Sequence, residues 1–537
     1  MKPSKKTIPL LMLLLFSTLT LAYLPTPVSA NPTEIEMLTF FAEPHEKLYW
    51  DQVIPKFQAE YPSITVKHTA IEFDALFDEI IRLHLLGQDP DIISVHGMWL
   101  PRFADYRDPI VTEATSGPPL YVKEDIEGNY LFAAVRGSTY KGIVYGYPTE
   151  IDSHALVYNK TRIPVPPKTW DELKTMARAN TQRDASGAVY VTGFMPYING
   201  NEEKRYEFMN LLWSNNGEFL DLSGELGEWG VPKAVFNSTQ GVEALQLFDN
   251  LNENKHPGTG TYDPDILPDI YWQGWVDGRI TMAVIPTWFN YIRDALGPRF
   301  FTDLGVAPIP IGPSMVAAGG TYPQNSKCVT FNHLFSVTQR AANEGRAEAA
   351  WTFLKYINAP RPAGYIPASA VGPIPRGGGC SILGDYFIFD GILPSRNGDR
   401  LNGLTREGKH LSEDFWFKGF IDMMELYGRP DPAFIKSQEV QDKVGVMFER
   451  VASYNENPKV VADETAAEVN LILPAPGDAN MDGIVDVKDG VLVVKDLDAR
   501  PGDANWNRGR ADVVEDNWIS GKDGGLIVYN FGRKGDP

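Results

Sequence analysis

One stretch near the C-terminus places oxygen-bearing side chains at the spacing of a cation loop. Asp478, Asn480, Asp482, Asp486 and Asp489 fall at positions 1, 3, 5, 9 and 12. Gly483 stands at position 6, and Ile484 would offer its backbone carbonyl at position 7. A hard cation such as Ca²⁺ takes six to eight oxygens, and the glycine permits the sharp turn that wraps the loop around it. Asp/Asn/Gly-rich stretches also make ordinary turns, but five matched positions and the glycine favour a metal here. A second copy begins at Asp512 and continues with Asp516, Ser520 and Asp523. It carries Val514 at position 3 and Asn517 at the glycine position. One ligand and the turn residue are lost, so one good calcium site and one weak or empty one are expected. A competing register starts the second loop at Asp503, but it needs an inserted residue.

Behind the loops, Asp489-Gly-Val-Leu-Val-Val-Lys-Asp-Leu lines up with Asp523-Gly-Gly-Leu-Ile-Val-Tyr-Asn-Phe. This duplicated loop-plus-helix resembles the dockerin family. The resemblance implies a small α domain with paired EF-hand-like loops at 474–537 and calcium as its cofactor. It also implies attachment to a cohesin-like or cell-surface partner. Val487-Lys488 and Gly521-Lys522 stand where that family usually carries specific small docking residues.

The N-terminus has the layout of a secretory signal over residues 1–30. Lys2, Lys5 and Lys6 precede an apolar run from Ile8 to Leu21, and Val28-Ser29-Ala30 fits the small-residue cleavage rule. The run is too short to span a bilayer. The expected location is secreted: extracellular, cell-surface or periplasmic. A net charge of −20 argues against a nucleic-acid partner. Cys328 and Cys380 could pair in an oxidising compartment or stay as two buried thiols.

From residue 31 to 473, short apolar runs alternate with amphipathic helices, which implies an α/β architecture with mostly parallel strands. Strands are expected at 35–41, 62–66 and 91–95, and helices at 48–61 and 73–86. Trp50, Val53, Ile54 and Phe57 share one helical face. Thr169 reads as an N-cap with Glu172 three positions on, a capping box.

An ordered set of stretches resembles the sugar-type extracellular solute-binding proteins of ABC importers. They are Phe57-Gln-Ala-Glu-Tyr-Pro, Gly87-Gln-Asp-Pro-Asp-Ile-Ile, Tyr140-Lys-Gly-Ile-Val-Tyr-Gly-Tyr-Pro148, Ala155-Leu-Val-Tyr-Asn-Lys160, Pro166-Pro-Lys-Thr-Trp-Asp-Glu-Leu173 and Trp275-Val-Asp-Gly-Arg-Ile-Thr-Met282 with Trp288. The resemblance implies a two-lobed periplasmic-binding-protein type II-like fold, with a hinge that closes around a solute. It implies a carbohydrate ligand and ABC transporter permease subunits as partners, and no catalysis.

A sugar cleft needs aromatic platforms and planar polar partners. In α/β sheets, such residues sit in loops after strands. The candidates are Glu43 and His45 after the first strand, His96 and Trp99 after the third, and Glu150 and Asp152 before the lobe crossover. Trp213 at a helix end, Trp288 after Ala-Val-Ile-Pro, and the Gly319, Gly320, Tyr322 loop complete the set. The histidines lack metal-ligand spacing. The alternatives are a secreted carbohydrate-active enzyme or a surface scaffold bearing the dockerin-like tail. No Ser/His/Asp, Cys/His or phosphate-loop pattern supports the enzyme.

Overall fold

A computed structural model describes residues 32–40, 44–104, 108–198, 200–221, 233–265, 272–362, 379–434, 436–473, 487–495, 497–498 and 527. The chain opens with β1 (Thr33–Thr39), α1 (Pro44–Glu60), β2 (Ile64–Ala70), α2 (Phe73–Leu85) and β3 (Ile92–His96). A long strand β4 (Gly146–Asn159) follows, then α3 (Trp170–Asn180), α4 (Asn201–Ser214), β5 (Met282–Pro286) and β6 (Leu304–Ala307). The return strand β7 (Cys328–Val337) leads to α5 (Ala347–Asn358), α6 (Phe415–Tyr427), β8 (Gly428–Pro430), α7 (Ser437–Ala452) and α8 (Pro458–Ile472). A separate helix α9 covers Val487–Lys495.

One sheet of order β5-β4-β7-β3-β1-β2 runs through the molecule, with β6 also on β4 and β8 on β7. The expectation of mostly parallel strands is corrected. β2 and β3 pair parallel to β1, and β8 pairs parallel to β7. Every other ladder is antiparallel: β3–β7, β7–β4, β4–β5 and β4–β6. Helical crossovers keep strands parallel in the first βαβαβ unit and between β7 and β8. β4 and β7 carry the chain from one lobe to the other and back, so they must run oppositely.

The two lobes have distinct cores. In the first, Trp50, Val53 and Phe57 of α1 pack on Ile35 and Met37 of β1 and on Trp351 and Phe353 of α5. Leu76 and Ile80 of α2 cover the opposite face with Ile93 and Val95. The second core joins Leu156, Met282 and Phe208 to Phe448 and Val461. β4 belongs to both. Its first half pairs with β7, and its half from His154 onward pairs with β5 and β6. All its residues are buried, so the crossing is a fully paired strand rather than a loop. Two strands joining two separately packed lobes make a hinge.

Local signals match the elements they predict. Thr169 Oγ1 accepts from the Glu172 amide at 3.3 Å, and Glu172 reaches back to the Lys168 amide at 2.7 Å. Cys328 and Cys380 are both buried free thiols, so no disulfide links the lobes. Among the described residues, no helix is long and apolar enough to cross a membrane. The signal-like segment 1–30 lies outside the described residues.

Candidate ligand cleft between the lobes

β3 ends against the middle of β7 where the lobes meet, with His96 opposite His333. Phe331 lies between His96 and Tyr206, its ring stacked on both at 5.3 and 4.9 Å between centroids. His333 stands edge-on to His96 at 4.8 Å. The first lobe adds Phe40 and Phe73 against His333. This aromatic stack is the floor of the cleft.

The polar contacts across the floor fix a tautomer. His96 Nδ1 accepts from the Met98 amide at 3.1 Å, so the ring proton lies on Nε2. Nε2 faces the Tyr206 hydroxyl at 3.1 Å and Glu202 Oε1 at 3.5 Å. Tyr206 in turn donates to Asp431 at 2.9 Å, and Arg205 grips both oxygens of Asp431. Two hydrogen bonds on a planar guanidinium fork hold that carboxylate rigidly. His333 pairs with Glu150, which also accepts from Thr149. Burial works against the charged form of His333, but Glu150 and Glu202 outweigh it and raise its pKa. Burial alone would push Glu202 up, yet the histidines and Arg205 bring it below its ordinary value.

A cavity of about 210 Å³ opens beside this floor. Phe73, Asp74, Phe77 and Trp99 form its first-lobe wall. The start of α4, Gly200 to Glu203, and Gln438, Gln441 and Asp442 of α7 form the other. Trp99 stacks on Phe73 at 5.4 Å and 18° between planes, and its Nε1 donates across the cleft to Gln438 at 2.9 Å. A second, apolar space of about 40 Å³ lies at the hinge between Met98, Ile151 and Phe331.

The expected ligand residues scatter over this frame. Trp99 lines the larger cavity. His96 and Glu150 form the hinge network rather than cavity wall. Asp152 is buried, accepts from the Ser153 and Thr287 amides at 2.7 and 2.9 Å, and is pushed up to about 6 by burial. It ties β4 to the segment carrying Trp288. Trp288 is half-buried, stacked with Tyr291 at 5.9 Å and 18°, and beside Trp272 and Tyr197. β5 ends with Pro286 opposite His154, so this aromatic group stands at the hinge end of the second lobe.

Trp213 sits elsewhere. It is buried in the second core, its Nε1 donates to Glu218, and Arg429 covers its ring. It lines neither cavity, because the last turn of α4 points into the lobe. Gly319, Gly320 and Tyr322 also line neither. Gly319 takes a φ of +82°, Gly320 packs against Met315, and the Tyr322 hydroxyl donates to Pro308 within the same lobe. Glu43 and the His45 side chain lie outside the described residues.

Sequence reasoning missed Phe73, Glu202, Glu203, Tyr206, Phe331 and His333. Phe73 and Phe77 left a trace, as a half-buried pair flanking the core stripe of Leu76 and Ile80. Phe331 and His333 left none, since an all-buried strand has no alternating polarity to read.

The calcium-loop residues Asp478, Asn480, Asp482, Ile484, Asp486, Asp512, Asp516, Ser520 and Asp523 lie outside the described residues. Asp489 falls in α9, with its side chain undescribed. The paired-loop domain is therefore supported by sequence pattern alone.

The sequence profile of the bacterial extracellular solute-binding proteins matches residues 42–363. The chain belongs to this family. A binding protein of Brucella abortus is 26% identical over 345 residues, which cover 63% of this chain and 75% of that one. The maltotriose-binding protein of Pyrococcus abyssi is 25% identical over 278 residues, 50% of this chain and 51% of its own. In three dimensions, the maltose/maltodextrin-binding domain of Bdellovibrio bacteriovorus, bound to maltotriose, superposes with a TM-score of 0.60. It is 19% identical and covers 81% of this chain and 99% of its own. The fold is thus that of the two-lobed sugar-binding periplasmic proteins. Family membership is consistent with the expected export.

Proposed function

We propose that this solute-binding protein captures an oligosaccharide in the interlobe cleft and delivers it to the permease subunits of an ABC importer, without chemical change. One observation carries the reading: the cavity lies between two lobes joined by paired strands, with aromatic faces on its wall. Hinge closure lets Trp99 and Phe73 cover an apolar sugar face while carboxylates and amides take hydroxyls. The half-buried Trp288 group is a second platform at the same end of the lobes. The relatives' sugar ligands support this substrate class, and their being binding proteins supports binding without turnover.

The five-oxygen loop at 478–489 supports calcium as the cofactor of the C-terminal module. The duplicated pattern supports a role in attachment to a cohesin-like or cell-surface partner. Calorimetric titration with malto-, manno-, cello- and xylo-oligosaccharides tests the main reading. Heat and a raised melting temperature with any series are expected. Silence across the panel, with binding of another solute class, overturns it.

A further inference from the structure

The polar wall of the larger cavity is rich in carboxyl groups, beside the side-chain amides of Asn201, Gln438 and Gln441. Asp74, Glu202, Glu203 and Asp442 all line it. Among the described residues, no lysine or arginine forms an ion pair with any of them; Glu202 lies 3.5 Å from His96 and also feels the charges of His333 and Arg205. An ionised carboxylate accepts and cannot donate. Gln438 has its oxygen taken by Trp99 and its amide by Asp442. Gln441, 5% exposed, forms part of the same wall, and its Oε1 is buried with no donor at all. A buried acceptor without a donor is costly.

The charge balance points the same way. Burial and the neighbouring Glu202 push Glu203 up to about 8, against backbone amides at Gly200 and Glu203 that favour its ionised form. Burial also raises Asp442. The empty pocket thus crowds four carboxyl groups together, and Glu203 holds a proton at neutral pH that an arriving ammonium would displace. The rest of the wall is Gly200, Asn201, whose amide donates to Asp442 at 3.3 Å, and three aromatic rings. Phe73 and Trp99 stack, and Phe77 meets Trp99 edge-on at 5.4 Å. Ring faces attract cations as well as sugar C–H faces.

We propose that the solute held here carries a protonated amine: an amino-sugar oligosaccharide, its ammonium among Glu203, Glu202 and Asp74 and its ring on Trp99 and Phe73. An ammonium has three donors and no acceptor, the complement of a wall that carries four carboxyl groups. This inference rests on the oligosaccharide reading and narrows it to a charged substrate class.

The test is calorimetry of the mature chain with glucosamine oligomers, their N-acetylated counterparts of equal length, and neutral glucans and mannans. The amine form should bind at least tenfold tighter than the acetylated form. The preference should shrink as sodium chloride rises, since an ion pair is screened and a stacking contact is not. E203Q and D74N should each reduce it, with melting temperatures confirming folded protein. Neutral or acetylated oligomers binding as tightly as the amine would overturn the inference and leave the oligosaccharide reading standing. An amine preference indifferent both to salt and to the two substitutions would also overturn it. If no saccharide binds, the oligosaccharide reading falls and this inference falls with it.

Discussion

Tyr206 of the second lobe reaches His96 of the first, its hydroxyl oxygen 3.1 Å from Nε2, while the same hydroxyl donates to Asp431. The contact joins two separately packed cores through one oxygen atom. It exists only when the lobes are together, so its free energy belongs to the closed state. A ligand that also binds across the lobes shares that stabilisation.

Tyr206→Phe keeps the stack on Phe331 and removes both hydrogen bonds. The ligand-free protein should populate more open forms, read as a larger radius of gyration in small-angle scattering. A net hydrogen bond contributes about 1 kcal/mol, so affinity should fall about fivefold. An unchanged radius together with unchanged affinity would show that the contact does not govern closure.

Trp288→Ala should weaken sugar binding with little loss of fold stability. The ring is half-buried on an aromatic group, so truncation opens no large hole in the core. A stacked aromatic anchor contributes on the order of 1–3 kcal/mol. Paired titration and thermal melting check this. A large fall in melting temperature without ligand would place Trp288 in the scaffold instead.

The buried carboxyl of Asp152 stands at about 6 rather than 3.8 because burial disfavours its charge. Its folded pKa is raised, so the stability it contributes is full below pH 3.8 and is lost as pH rises through 6. At 1.36 kcal/mol per unit the loss is on the order of 3 kcal/mol. His154 is lowered from 6.5 to about 4 by burial, and so acts oppositely, losing stability as pH falls from 6.5 to 4. The stability difference between the native chain and Asp152→Asn should therefore shrink between pH 4 and pH 7. Melting curves of both proteins across that range decide it, and parallel curves would count against it.

Glu207 is buried in α4, and both its carboxylate oxygens lack a hydrogen bond. Burial pushes its pKa well above the ordinary range. A buried polar group without a partner costs about 1–3 kcal/mol. Glu207→Met has a similar shape and a good helix propensity, and should raise the melting temperature at neutral pH. A fall would mean that the carboxyl has a partner in solution, such as a bound water.

Chelation should melt the C-terminal module while the lobes stay folded. Four carboxylates and an asparagine converge on the 478–489 loop by pattern, and they would repel without a cation. Calorimetry of the full chain should show a separate low-temperature transition that moves up with calcium. Asp482→Ala should abolish that shift. A transition indifferent to calcium refutes the loop, and two bound ions would show that the second copy is competent.

Local signals were legible because they act over a few residues. The Trp50, Val53, Phe57 spacing specified one buried helix face, and Thr169 with Glu172 specified a helix start. The ordered stretches of the body marked a two-lobed binding protein, and Trp99 was placed on the cleft from its position after a strand. Those inferences need only period, capping chemistry and chain order. Strand direction was not legible, because an apolar run reads the same whether its neighbour is parallel or antiparallel. The cleft floor was not legible either. His96, Tyr206, Phe331 and Asp431 are far apart in sequence, and each alone resembles an ordinary core or loop residue. Likewise Trp99 and Trp213 are both tryptophans at the edge of an apolar element. One lines the cavity and the other fills a core. Only the packing of one lobe against the other decides which side chains share a volume, because that depends on contacts between segments that no local pattern connects.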